Sequence, residues 1–145
     1  MTPDINVLVA ASRADHVHNR IAYRWLTASL RAAANGARLD LLPMTIAGFL
    51  RLVTNERIFP DATPIEAAVE FIDALVGAPG VDVLALGGEW RTLQRMLLDE
   101  GLSGNAIPDA WIAAAVRANG CHLVTFDRGF RRLLGKRELT VLATR

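Results

Sequence analysis

Short apolar runs of four residues alternate along this chain with amphipathic stripes at helical spacing. That alternation limits the fold more than any other feature. The runs are Leu39–Leu42, Val81–Leu84, His122–Thr125 and Leu139–Leu142. Between them, Ile46, Phe49, Leu50 and Val53 fall at i, i+3, i+4 and i+7, and Ile65, Ala68, Val69, Ile72, Leu75 and Val76 form a second stripe. Trp90, Leu93, Met96 and Leu97 make a third stripe, and Trp111, Ile112, Ala115 and Val116 a fourth, with Pro108 near its start and Gly120 beyond its end. Thr63-Pro64 reads as the N-cap and first-turn proline of the second stripe. Strands separated by helices build βαβ units around a mostly parallel sheet. The expectation is an α/β protein, a three-layer α/β/α sandwich. With no repeat or Ser/Gly linker, and 145 residues, it reads as one domain over 1–145.

The opening segment Asp4-Ile5-Asn6-Val7-Leu8-Val9-Ala10 has two readings. Its propensity is that of a strand. It also fits a very short strand ending at Asp4, with a helix from about Asn6. Only the second puts Asp4 at a strand's carboxyl end, where ligands bind in parallel sheets.

Composition excludes several classes. Hydrophobic residues make up 52%, too many for a disordered chain, and no apolar run is long enough to span a bilayer. The N-terminus lacks the layout of a signal peptide. A lone Cys121 rules out an internal disulfide and a cysteine zinc site, so a cytoplasmic setting is expected, with Cys121 a small buried apolar residue. The net charge of +1 does not point to nucleic acid, although every basic residue except Lys136 is arginine, which suits bidentate phosphate contacts.

Three aspartates stand at element junctions. Asp4 follows the first possible strand, Asp109 lies in the first turn of the Pro108–Asn119 helix, and Asp127 sits two residues past the third run. Each also has a plain structural explanation: an exposed terminal acid, an acid at a helix N-terminus, and a turn residue. Together at one sheet edge they would form an all-oxygen set suited to Mg²⁺ or Mn²⁺. Such an ion polarises a phosphate and lowers the pKa of a bound water. Without one, clustered carboxylates repel each other and tend to protonate.

These segments resemble the PIN-domain family, and within it the VapC-type toxins of toxin–antitoxin pairs in a branch common in mycobacteria. The resemblance spans essentially the whole chain. It is carried by Asp4-Ile5-Asn6-Val7-Leu8, by Pro108-Asp109-Ala110-Trp111-Ile112-Ala113-Ala114 and by Leu123-Val124-Thr125-Phe126-Asp127-Arg128-Gly129-Phe130. It implies a Mg²⁺- or Mn²⁺-dependent endoribonuclease cutting tRNA or rRNA, a homodimer, and a small VapB-like antitoxin. Asp4, Asp109 and Asp127 would hold the metal, with Asn6 and Thr125 orienting carboxylates or waters behind them. Thr45–Asn55 matches the family's stretch that carries a fourth acid, except that Gly48 takes the glutamate's place. Asp99, Glu100 and Glu56 are the candidate replacements, each also readable as surface charge. Arg128, Arg131 and Arg132, followed by Lys136 and Arg137, would grip phosphates beside the cut or form a solvated face.

His16-Val17-His18 is a poor metal motif, because residues two apart diverge on a helix. The resemblance places His18 near the cleft. Trp25, Trp90 and Trp111 read as core or dimer contacts rather than stacking platforms. An aspartyl phosphoryl-transfer site would want an acid where Asn6 stands. A PIN fold that binds RNA or a partner with little or no cleavage is the alternative that Gly48 keeps open.

Overall fold

The computed structural model describes residues 1–144. Its elements run β1 (Thr2–Pro3), α1 (Ile5–Ser12), α2 (Asn19–Ala34), β2 (Leu39–Leu41), α3 (Pro43–Val53), α4 (Ile65–Val76), β3 (Val81–Val83), α5 (Trp90–Glu100), α6 (Ile107–Ala118), β4 (Leu123–Thr125) and β5 (Leu139–Val141). All strand pairings are parallel: β1 with β4, β4 with β5, and β2 with β3. The two-residue β1 joins the halves, because the Asp40 amide donates to the Met1 carbonyl at 2.9 Å. The strands thus lie in the order β3-β2-β1-β4-β5.

Helices cover both faces. Residues from α1 to α4 bury Val7, Leu8, Ala22, Leu26, Phe49, Val53 and Ile72 in one core, and α5 and α6 bury Leu93, Met96, Ile112, Val116 and Phe130 in the other. Ile5 packs against both. This is the expected sandwich. The α4 start differs by one residue, with Pro64 rather than Thr63 at the N-cap; the ring fixes its φ at −56°, while its ψ of 143° is extended rather than helical.

The ambiguous opening resolves in favour of the short strand. Helix α1 starts at Ile5, with Asp4 as its N-cap accepting from the Ile5 amide at 2.7 Å. Strand propensity loses here because all of Val7–Ala11 is buried, so the segment packs as a helix between the sheet and its neighbours. Strands β1 and β4 run parallel side by side, so Asp4 and Thr125 meet at their carboxyl ends.

Two tryptophans depart from the core reading. Trp90 is 51% exposed and Trp111 41% exposed. Trp90 opens α5 one turn before Leu93, where the helix end stands clear of the core. Trp111 stands at the edge of the buried face of α6, beside the buried Ala110 and Ile112. Cys121 is only half-buried and lies 3.9 Å from Asp40 Oδ2.

Candidate active site

Helix α1 begins where β1 ends, which leaves Asp4 5% exposed at the sheet edge. Its Oδ2 accepts from Thr125 Oγ1 at 2.6 Å. The Thr125 hydroxyl also accepts from Asn6 Nδ2 at 3.0 Å and from the Asp127 amide at 2.9 Å. Asn6 Oδ1 in turn accepts from the Phe126 amide at 3.2 Å. One buried hydroxyl therefore ties the start of α1 to the turn that carries Asp127.

Burial pushes the Asp4 carboxyl above the usual carboxylate range. The bonds from Thr125 and Ile5 pull it back in part, and the charges of Asp109 and Asp127 push it up again. Asp109, in the first turn of α6, is also raised, first by burial and then by the charge of Asp127. The three aspartates thus sit in one another's electrostatic field. They are not drawn into a cage: among the described residues no group of three His, Cys, Asp or Glu stands close enough to hold a metal ion. Asp127 also serves its turn, accepting from the Gly129 amide at 2.7 Å. The donor chemistry fits a hard divalent cation, because the set is all oxygen and a cation would relieve its repulsion. Magnesium commonly takes one or two carboxylates and keeps several waters, so an open arrangement is within its habits.

The proposed replacements for the fourth acid lie elsewhere. Asp99 and Glu100 line a separate cavity with Arg95, Arg117 and Arg132, and Glu56 is exposed in the turns after α3. The place itself is filled. A Cβ on Gly48 would overlap Ile5 Cδ1 and stand 2.9 Å from Ile5 Cγ1. Gly48 therefore permits close approach of α1 and α3.

Arg128, Arg131 and Arg132 are exposed, and among the described residues none of them pairs with a carboxylate. They do not form one patch: Arg132 lines the cavity with Asp99, while Arg131 and Lys136 line another. His18 stacks on Phe126 with ring centroids 4.9 Å apart, beside the Thr125–Asp127 turn.

Sequence reasoning missed Glu89. It is 2% exposed, and its two oxygens accept from the Trp111 indole and the Gly87 amide, each at 2.8 Å. Gly87-Gly88-Glu89 looks like an ordinary loop, and only the long-range bond to Trp111 sets Glu89 apart.

The PIN domain model matches residues 1–136. The chain belongs to the PIN-domain family. Within it, the chain is 38% identical over 130 residues to the VapC ribonuclease Mb2897 of Mycobacterium bovis, covering 89% of this chain and 86% of that protein. It is 36% identical over 137 residues to the ribonuclease VapC31 of Mycobacterium tuberculosis, covering 94% of each. This PIN domain is thus of the VapC type. The fold is that of a crystal structure of VapBC2 from Rickettsia felis bound to a DNA fragment from their promoter, with a TM-score of 0.66, 18% identity and 98% of each chain covered.

Proposed function

We propose that this PIN domain is the toxin of a VapBC-type pair and acts in the cytoplasm as a Mg²⁺- or Mn²⁺-dependent endoribonuclease on tRNA or rRNA. The observation that carries the reading is Asp4, a buried carboxylate in the field of Asp109 and Asp127 and held by Thr125. Burying carboxylates together is costly unless something offsets it, and a divalent cation would. Names of the mycobacterial relatives support ribonuclease chemistry, and the VapBC2 likeness supports a VapB-like antitoxin as partner. A homodimer belongs to the same reading.

In it, Asp4, Asp109 and Asp127 hold the cation, which when bound would polarise the scissile phosphate and make water more acidic. Thr125 fixes the rotamer of Asp4, and Asn6 fixes Thr125. Arg128, next to Asp127, takes a phosphate beside the cut, whereas Arg131 and Arg132, expected to share that task, line other cavities.

Incubation of the protein with total RNA in Mg²⁺, Mn²⁺ or EDTA is the direct test. Asp109→Asn should lower cleavage by more than the roughly 10- to 100-fold that losing an outer partner of a metal ligand costs. Cleavage that survives EDTA or Asp109→Asn would sink the proposal. One observation favours a second reading, a PIN fold that binds RNA without cutting it: Ile5 occupies the place of a fourth acid at Gly48. RNA retained uncut on the metal-loaded protein would select that reading.

A further inference from the structure

A cavity of about 650 Å³ opens where the first turns of α1 and α6 meet the start of α3 and the loop before α5, with a wall that is almost wholly apolar. Ile5, Met44, Leu86, Ile107 and Trp111 line it, with Glu89 among them. Two of its residues are chain neighbours of the site: Ile5 follows Asp4, and Pro108, also in the lining, precedes Asp109. Its volume is that of a small-molecule pocket, and its makeup, apolar walls with one polar anchor, is typical of one.

Trp111 and Glu89 decide what it would take. The indole N–H is already given to Glu89, so the ring offers a ligand its face. Each Glu89 oxygen accepts one hydrogen bond and keeps a further lone pair. The carboxylate also fixes the ring, so stacking on it costs little ordering. An apolar slot with an aromatic face and an acceptor suits a flat ring that carries N–H donors on its edge.

We propose that this cavity receives a nucleobase of single-stranded RNA, stacked on Trp111, from a nucleotide next to the scissile phosphate. The inference rests on the ribonuclease reading. Ile5 and Pro108 in its lining adjoin Asp4 and Asp109 in the chain, and unpaired bases are commonly recognised by stacking on aromatic side chains. Guanine, with ring and amino N–H groups side by side, suits the Glu89 acceptor better than uracil, which has a single N–H.

The experiment uses the full chain in EDTA, so that no RNA is cut. In a Trp25→Phe, Trp90→Phe background, Trp111 is the sole tryptophan, and its fluorescence is titrated with GMP and with UMP. Saturable quenching is expected, tighter for GMP, with Glu89→Gln narrowing the gap between the two. In the otherwise unchanged protein, Trp111→Leu should weaken binding of a short labelled single-stranded RNA by roughly 5- to 150-fold, the range for one stacked base. Met44→Glu, on the cavity wall, should weaken it without touching the Trp111–Glu89 pair. Absence of quenching, or RNA affinity unchanged in both variants, overturns the proposal. So does sedimentation showing that Trp111→Leu dissociates a dimer while RNA affinity holds, which would give the cavity to a second copy of the chain. Cleavage assays separate the two readings. Metal-dependent cutting with no base binding defeats only this inference. Base binding without cutting defeats the nuclease and leaves the cavity's ligand standing.

Discussion

Thr125 carries more of the site than its size suggests, since one buried hydroxyl serves Asp4, Asn6 and the Asp127 amide. Thr125→Val keeps the shape and removes all three bonds. Leaving buried polar groups unmet costs about 1–3 kcal/mol, which urea unfolding would show. Because the lost bond is one that lowers the Asp4 pKa, the carboxyl should rise further, and Mn²⁺ affinity by calorimetry should fall by about 10- to 100-fold. Thr125→Ser should recover most of both. Gly48 is equally specific. Gly48→Glu alone drives its Cβ into Ile5 and should destabilise by about 1–3 kcal/mol, as overpacking does. Ile5→Ala in the same chain clears the space, so the double variant should bind Mn²⁺ more tightly than either single variant. Equal affinities would show that position 48 does not face the metal.

At the scale of elements, α6 was legible almost to the residue, because Pro108, the apolar stripe and Gly120 mark a helix by local chemistry alone, and Gly120 takes a φ of 62°. Strand β1 was legible only as one of two readings, since two residues carry no period, and pairing with β4 is what makes Thr2–Pro3 a strand. The acids were legible as junction residues, yet their electrostatic coupling depends on β1 lying beside β4, which no local pattern encodes. Long-range anchors were invisible for the same reason. Arg13, just past α1 and 7% exposed, donates to Asp15, to Thr63 Oγ1 at 3.2 Å and to the Asp61 carbonyl at 2.9 Å, and lies 4.1 Å over the Phe59 ring. It ties the α3–α4 connection to the end of α1. Asp15 is exposed and can return to water, so Arg13→Leu mainly strands the loop groups; a loss of about 2–3 kcal/mol is expected. Faster proteolysis between Thr54 and Pro64 would locate the damage.

For the molecule as a whole, the raised carboxyls tie stability to pH and, on the proposed reading, to a divalent cation. Asp4 and Asp109 hold their protons more tightly folded than unfolded. The folded state therefore binds more protons across the window from the ordinary aspartate value up to the raised ones. Metal-free stability should fall as pH rises through that window. A divalent cation binds the ionised form, so Mg²⁺ should raise the thermal midpoint at neutral pH and lose its effect in acid. Asp109→Asn should flatten both trends, and a midpoint indifferent to Mg²⁺ at neutral pH would count against a metal site. The contact between Ile5 and Gly48 also spans the molecule, because Ile5 touches the cores on both faces of the sheet. Its consequence is genetic. A glycine codon becomes a glutamate codon by one base change, but here the Ile5 side chain stands in the way of the residue that change would introduce. A glutamate at position 48 would therefore need a second change at position 5, 43 residues away along the chain, so the two positions can only be exchanged as a pair.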